Sequence, residues 1–178
     1  MIPTLALLAS GIAHAHGPFA SFGVSTTGPK VIAGVDFTPY LGPTVRAGYE
    51  FGDRWNQEVA LQWSHSSSHS TSGDIDLDVE FATYAVGYRF SVDFLGKKGF
   101  TPYVGTGVYL GMADLSVTGE QAGYQATQGA SPVFLELHAA VDARYTLESG
   151  LNFRVEVAGS TYGGLFALQP SLGGGFQF

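Results

Sequence analysis

The chain contains no cysteine, which excludes both a disulfide framework and a thiolate metal site. Charge is scarce: Asp, Glu, Lys and Arg together supply 13% of the residues, about half the share usual in a soluble globular domain. Lys and Arg number eight and the net charge is -7, so nucleic acid is not an expected partner. Also missing is any apolar run near the ~20 residues that a membrane-spanning helix requires. Yet 45% of the 178 residues are hydrophobic. Low charge, high hydrophobicity and short apolar runs are compatible if apolar and polar residues interleave. No Lys or Arg precedes the first apolar stretch, Leu5 to Ala9, although a secretory signal normally opens with positive charge. The Ala13-His14-Ala15 that follows nonetheless has the form of a cleavage site. Residues 1–15 are therefore expected to be a signal peptide and 16–178 a single domain, the size that this length supports.

What is abundant is alternation. From Val133 to Leu147 every odd position is apolar or aromatic, while the even positions include Glu136, His138, Asp142 and Arg144. After Glu148-Ser149-Gly150 the pattern resumes, with Leu151, Phe153, Val155 and Val157 opposite Asn152, Arg154 and Glu156. Val45, Ala47, Tyr49 and Phe51 oppose Arg46, Gly48 and Glu50, and Trp55, Val59, Leu61 and Trp63 oppose Asn56, Glu58 and Gln62. Residues 79–92 and 101–115 repeat the arrangement. Period two over this length marks strands. One face is purely apolar with Tyr, Phe and Trp near strand ends, and the other is rich in glycine and charge, as in a barrel that crosses a membrane.

Connections near 52, 93–100 and 148 are short, whereas those near 66–78, 116–132 and 162–169 read as longer hydrophilic loops. Short inner turns and longer outer loops fix an orientation. Seven strands are placed in this way, and an even count requires an eighth at about 19–27 or, alternatively, 31–38. The expected fold is all-β, an eight-stranded antiparallel up-and-down transmembrane β-barrel. Its last strand puts Leu172, Phe176 and Phe178 on one face and ends on an aromatic residue, which reads as a girdle position and an assembly signal.

Pro102-Tyr103-Val104-Gly105-Thr106-Gly107-Val108, Gly48-Tyr49-Glu50-Phe51 and the terminal Phe178 resemble the small OmpA/OmpX-like outer-membrane β-barrel family. The resemblance covers essentially the whole chain after residue 15. It implies the outer membrane of a Gram-negative bacterium, with outer-membrane lipids and the barrel-assembly machinery as partners and a monomeric state. It brings no active site, and members include adhesins and structural proteins.

Two constellations remain. Arg46, Arg89, Arg144 and Arg154 share the inward parity with Glu50, Glu58, Glu136, Asp142 and Glu156, and His138 lies in the same row. An eight-stranded barrel is just wide enough for its own side chains, so these groups are expected to fill the lumen as ion pairs. The second is Ser64 to Gly73 followed by Asp74-Ile75-Asp76-Leu77-Asp78. Its His65-x-Ser67 pair, on the outward parity, is similar to that of the lipid A deacylase family, although Ser68 stands where that family has Asn and the pair falls on the third strand. No carboxylate is evident in the sequence to orient His65. Asp74, Asp76 and Asp78 with His65 or His69 could instead hold a divalent cation through hard oxygen ligands. The expected function is structural or surface interaction through the outer loops, without cofactor and with an unspecified surface ligand. The alternatives are a lipid esterase using His65 and Ser67, or a narrow channel.

Overall fold

The computed structural model describes residues 17–26, 31–32, 35–36, 41–52, 54–72, 74–95, 100–121, 123–162 and 165–178. The expected signal segment, 1–15, lies outside them. Among the described residues every regular element is a strand: β1 (Gly17–Thr26), β2 (Val31–Ile32), β3 (Val35–Asp36), β4 (Leu41–Phe51), β5 (Trp55–Ser72), β6 (Ile75–Asp93), β7 (Phe100–Gln121), β8 (Tyr124–Ala130), β9 (Val133–Thr146), β10 (Leu151–Tyr162) and β11 (Leu165–Gln177). Eight of them form a ring in the order β1, β4, β5, β6, β7, β9, β10, β11 and back to β1, with every neighbour antiparallel. The first barrel strand is thus the one at 17–26. Of the alternative segment, 31–38, the described residues Val31–Ile32 and Val35–Asp36 are outside the ring and pair with each other as a separate two-stranded sheet.

Closure leaves the alternating residues two environments. Outward positions on neighbouring strands meet in a row, Val45 against Leu61, Leu61 against Val86, Val86 against Leu110 and Leu110 against Leu135, and all five side chains are exposed. Inward positions such as Arg46, Glu58, Arg89 and Arg154 are buried. A soluble protein places these classes the other way round; hydrocarbon around the wall accounts for the reversal. Aromatic rings bound the apolar band. At the inner rim Trp55 stacks on Phe90 with ring centroids 5.1 Å apart, and Phe51 lies 6.2 Å from the same ring. At the outer rim Trp63 pairs directly with Tyr84. From one tryptophan to the other β5 runs nine residues, within the ~9–11 that a tilted strand needs to cross the hydrocarbon.

The outer connections correct the reading of long loops. Segments 66–78 and 116–132 are largely strand: β5 continues to Ser72 and β6 begins at Ile75, while β7 continues to Gln121 and folds back as β8, which pairs with β7 alone. At 162–169, β10 and β11 pair up to Tyr162 against Leu165. Polarity there reflects departure from the membrane, not loss of strand. Beyond Trp63 and Tyr84 the facing rule inverts. Outward positions become His65, Ser67, Glu80 and Asp114, whereas inward ones include Phe81 and Ala113, which are buried and packed by Val79, Leu115 and Phe134. This apolar cluster sits over the outer end of the lumen.

The inverted burial yields a direct test. Val141→Arg and Val155→Arg each place a cation in lipid and should cost ~2–4 kcal/mol near the midplane, measured by urea titration of the barrel refolded into vesicles. Asn152→Ser, on the lumen side, should change stability far less. Equal effects of all three would overturn the assignment of faces.

Candidate functional site

Inside the ring, side chains of both charges converge because alternate residues of every strand have nowhere else to go. Glu58 on β5 is fully buried and touches four arginines from four strands: Arg46 at 3.6 Å, Arg89 at 2.8 Å, Arg144 at 3.4 Å and Arg154 at 2.7 Å. Asp142 accepts from Arg89 at 3.0 Å, Arg144 at 3.0 Å and Arg154 at 2.8 Å. Glu156 accepts from Arg46, Arg89 and Arg154. Glu50 takes Arg144 at 3.2 Å, and also the hydroxyl of Tyr103 and the amide of Gln177. Four guanidinium groups therefore meet four carboxylates in one neutral knot. The guanidinium of Arg144 also lies 5.1 Å from the ring centre of Phe19 and 4.2 Å from that of Tyr103. With Phe19 on β1, Tyr103 on β7 and Gln177 on β11, every strand of the ring contributes a side chain.

A second tier lies toward the outer end. His138 bonds Glu136 at 2.9 Å, Gln169 donates to Glu136 at 2.8 Å and to Ser160 at 3.0 Å, and the ring of Tyr109 packs 4.3 Å from that of His138. Glycine makes room for this. A Cβ on Gly87 would collide with the ring of Tyr109, and one on Gly48 with the ring of Phe19. Tyr103, Tyr109, Gln169 and Gln177 were not among the residues assigned to the lumen network from the sequence. Inward parity was the available signal for three of them, while Gln169 fell in a segment read as loop. The void at the inner end, bounded by Phe19, Glu50, Arg144 and Arg154, measures about 10 Å³, roughly one water.

On the outer wall, His65 and Ser67 lie on the same outward face of β5, just past Trp63. Ser67 stands directly across from Glu80, and His65 lines a cavity of about 320 Å³ together with Glu80 and Asp114. Carboxylates do therefore stand near His65, which the sequence did not reveal because they arrive from β6 and β7. His69 and Asp78 are cross-strand partners bonded at 2.7 Å, and Thr71 donates to Asp76 at 2.7 Å. Asp74 precedes β6 at the exposed tip. Successive residues on this face are ~6.6 Å apart along a strand, and among the described residues no three His, Asp or Glu side chains gather into a metal-binding set. The hydrogen bond and charge of Asp78 raise the His69 pKa above its ordinary value.

Two expectations follow from these contacts. Glu58→Gln removes the anion shared by four arginines and should cost about 3–5 kcal/mol, the usual effect of unpairing a buried charge, in vesicle unfolding; Glu136→Gln, which touches His138 and Gln169, should cost less. Separately, the raised pKa means that the His69 contact is fully formed below the ordinary imidazole pKa and is lost as pH rises through the elevated folded value. NMR titration should show the His69 ring titrating at higher pH in the wild type than in Asp78→Asn.

The same architecture is found in known proteins. The chain is similar to the structures of Neisserial surface protein A (15% identity over 90% of this chain and 96% of that one, TM-score 0.58), the attachment invasion locus protein Ail of Yersinia pestis (15%, 91% and 97%, 0.56) and the outer membrane protein OprG of Pseudomonas aeruginosa (14%, 93% and 97%, 0.54). At these identities the likeness is one of fold. No curated protein matches the chain significantly in sequence. A family model, the outer membrane protein beta-barrel domain, matches residues 3–178. With the closed ring, the apolar outer band and the charged lumen, that match leads to one assignment: the chain belongs to the outer membrane protein β-barrel domain family.

Proposed function

We propose that this outer-membrane barrel is a monomeric, non-enzymatic protein with an occluded lumen that acts at the cell surface through the sheet its strands β5 to β8 raise above the membrane. The observation that carries this reading is the charge of that sheet. Asp74, Asp76, Asp78, Glu80, Asp114 and Glu120 lie on it, and none of the described Lys or Arg residues does: Arg46, Arg89, Arg144 and Arg154 are in the lumen and Arg54 is in an inner turn. A rigid, hydrogen-bonded platform of one sign favours partners of the opposite sign. The ion-paired lumen supports a binding role over transport, since paired charges bridge a space that eight strands already make narrow. Phe178, exposed at the end of the closing strand with Leu172 and Phe176 behind it, supports a role for this face in recognition by the assembly machinery.

A lipid esterase is the second reading, favoured by the placement of Glu80 opposite Ser67 and beside His65. Release of fatty acid from lipid A by the purified barrel, lost in Ser67→Ala, would establish it.

The surface reading is tested with nanodisc-embedded protein and poly-L-lysine as probe. Binding should weaken with salt and weaken strongly when residues 67–80, which carry four of the six carboxylates, are replaced by a short turn joining Ser66 to Phe81, while heat-modifiable gel mobility shows the barrel intact. Equal binding by the trimmed barrel would overturn it. Planar-bilayer recordings should show little steady conductance; large ohmic openings would promote the channel reading. Deleting Phe178 should lower the folded fraction in outer membranes without affecting secretion.

A further inference from the structure

The lipid-facing wall is not uniform. Where β4 to β7 reach the outer rim it is hollowed into an apolar groove of about 620 Å³, walled by Val45, Leu61, Trp63, Tyr84, Val86 and Met112. Immediately above it on the same strands lies the polar cavity of about 320 Å³ that holds His65, Glu80, Asp114 and Ser116. The step between them is one outward position: Trp63 pairs with Tyr84 and Tyr84 with Met112, and the next outward row is His65, Ala82 and Asp114. One such step is ~6.6 Å of strand. The apolar hollow and the polar cavity therefore adjoin at the depth where the chains and headgroups of the surrounding lipid adjoin.

The chemistry of the upper cavity selects among lipids. It presents two carboxylates, and none of the described Lys or Arg residues lies near it. A headgroup carrying only phosphate would be repelled, whereas an ammonium between Glu80 and Asp114 would gain charge-assisted hydrogen bonds. We infer that this wall holds one phospholipid with a primary-ammonium headgroup, an acyl chain lying in the groove and the ammonium between Glu80 and Asp114. The site rests on the membrane depth established by the apolar band; it shares Glu80 and Asp114 with the acidic sheet of the proposed surface reading, and lipid retention in detergent is read separately from polycation binding.

Native mass spectrometry of the purified barrel in detergent, titrated with phosphatidylethanolamine and phosphatidylglycerol of identical acyl chains, tests this. The wild type should retain the ethanolamine lipid about tenfold better, equivalent to about 1.4 kcal/mol. The double variant Glu80→Gln, Asp114→Asn should retain the two equally; both changes are isosteric and lie on the outer wall, and gel mobility verifies folding. Val86→Trp, which fills the groove, should lower retention of both lipids. Equal retention by the wild type, a preference for phosphatidylglycerol or for lipopolysaccharide, or a preference that survives in the double variant would overturn the site. Undiminished retention in Val86→Trp would overturn the groove.

Discussion

The pairing of β1 with β11 is the contact on which the rest of the structure depends. In hydrocarbon an unpaired backbone group costs several kcal/mol, so a sheet with two free edges cannot cross a membrane. Seven residue pairs, from Phe19 with Gln177 to Ser25 with Ser171, remove both edges. Glycine permits the seam: Gly23 faces Gly173 and Gly175 faces Ser21, so the strands meet where side chains are smallest. Once the ring is closed, period-two alternation has only two destinations, lipid and lumen, and each residue's chemistry is sorted by parity.

That sorting creates an electrostatic problem and its solution together. Charged residues excluded from the lipid face accumulate in a lumen with little room for water, where each unpaired ion would cost several kcal/mol. The structure answers with stoichiometry. Four arginines and four carboxylates neutralise one another around Glu58, whose two oxygens reach guanidinium groups from β4, β6, β9 and β10. Because these contacts join residues up to 110 positions apart in the chain, they also fix how the strands sit relative to one another. Buried ion pairs are weak evidence for stability in themselves; here they are what makes the enclosed charges tolerable, and they occlude the lumen.

Alternation made much of this legible in the sequence. Val141, Val155 and Leu61 could be placed on the outer wall, and Arg89, Arg154 and Glu58 in the lumen, because a strand's faces follow from residue parity alone. The partner of each charge was not legible, since ion pairs in a barrel join strands whose stagger depends on register around the whole ring. Glu80 and Asp114 illustrate the limit: each is remote in sequence from His65, and only the β5–β6 and β6–β7 registers bring them to one cavity. The Ser-rich segment after Trp63 was read as loop because its composition is that of a loop. Its backbone is satisfied by β6, which runs beside it as far as Ile75 opposite Ser72, and composition carries no information about that partner. Likewise Val31 to Phe37 alternates as well as β1 does, and alternation alone could not decide which segment meets β11.

The inversion of faces beyond Trp63 bears most directly on function. A strand that continues out of the membrane keeps its geometry but exchanges its surroundings, so an outward residue now meets water and an inward one meets its neighbours. Phe81 and Ala113 turn inward and are buried, while Glu80 and Asp114 turn outward. The outer parts of β6 and β7 thus obey the rules of a soluble sheet, apolar within and charged without, although these strands are continuous with those of the barrel. Because the hydrogen-bonded ladder is unbroken across the boundary, the platform inherits the rigidity of the ring, and the cost of ordering a loop on binding does not arise. The membrane wall and the sheet projecting from it are in this way carried by the same strands, divided at a single row of side chains.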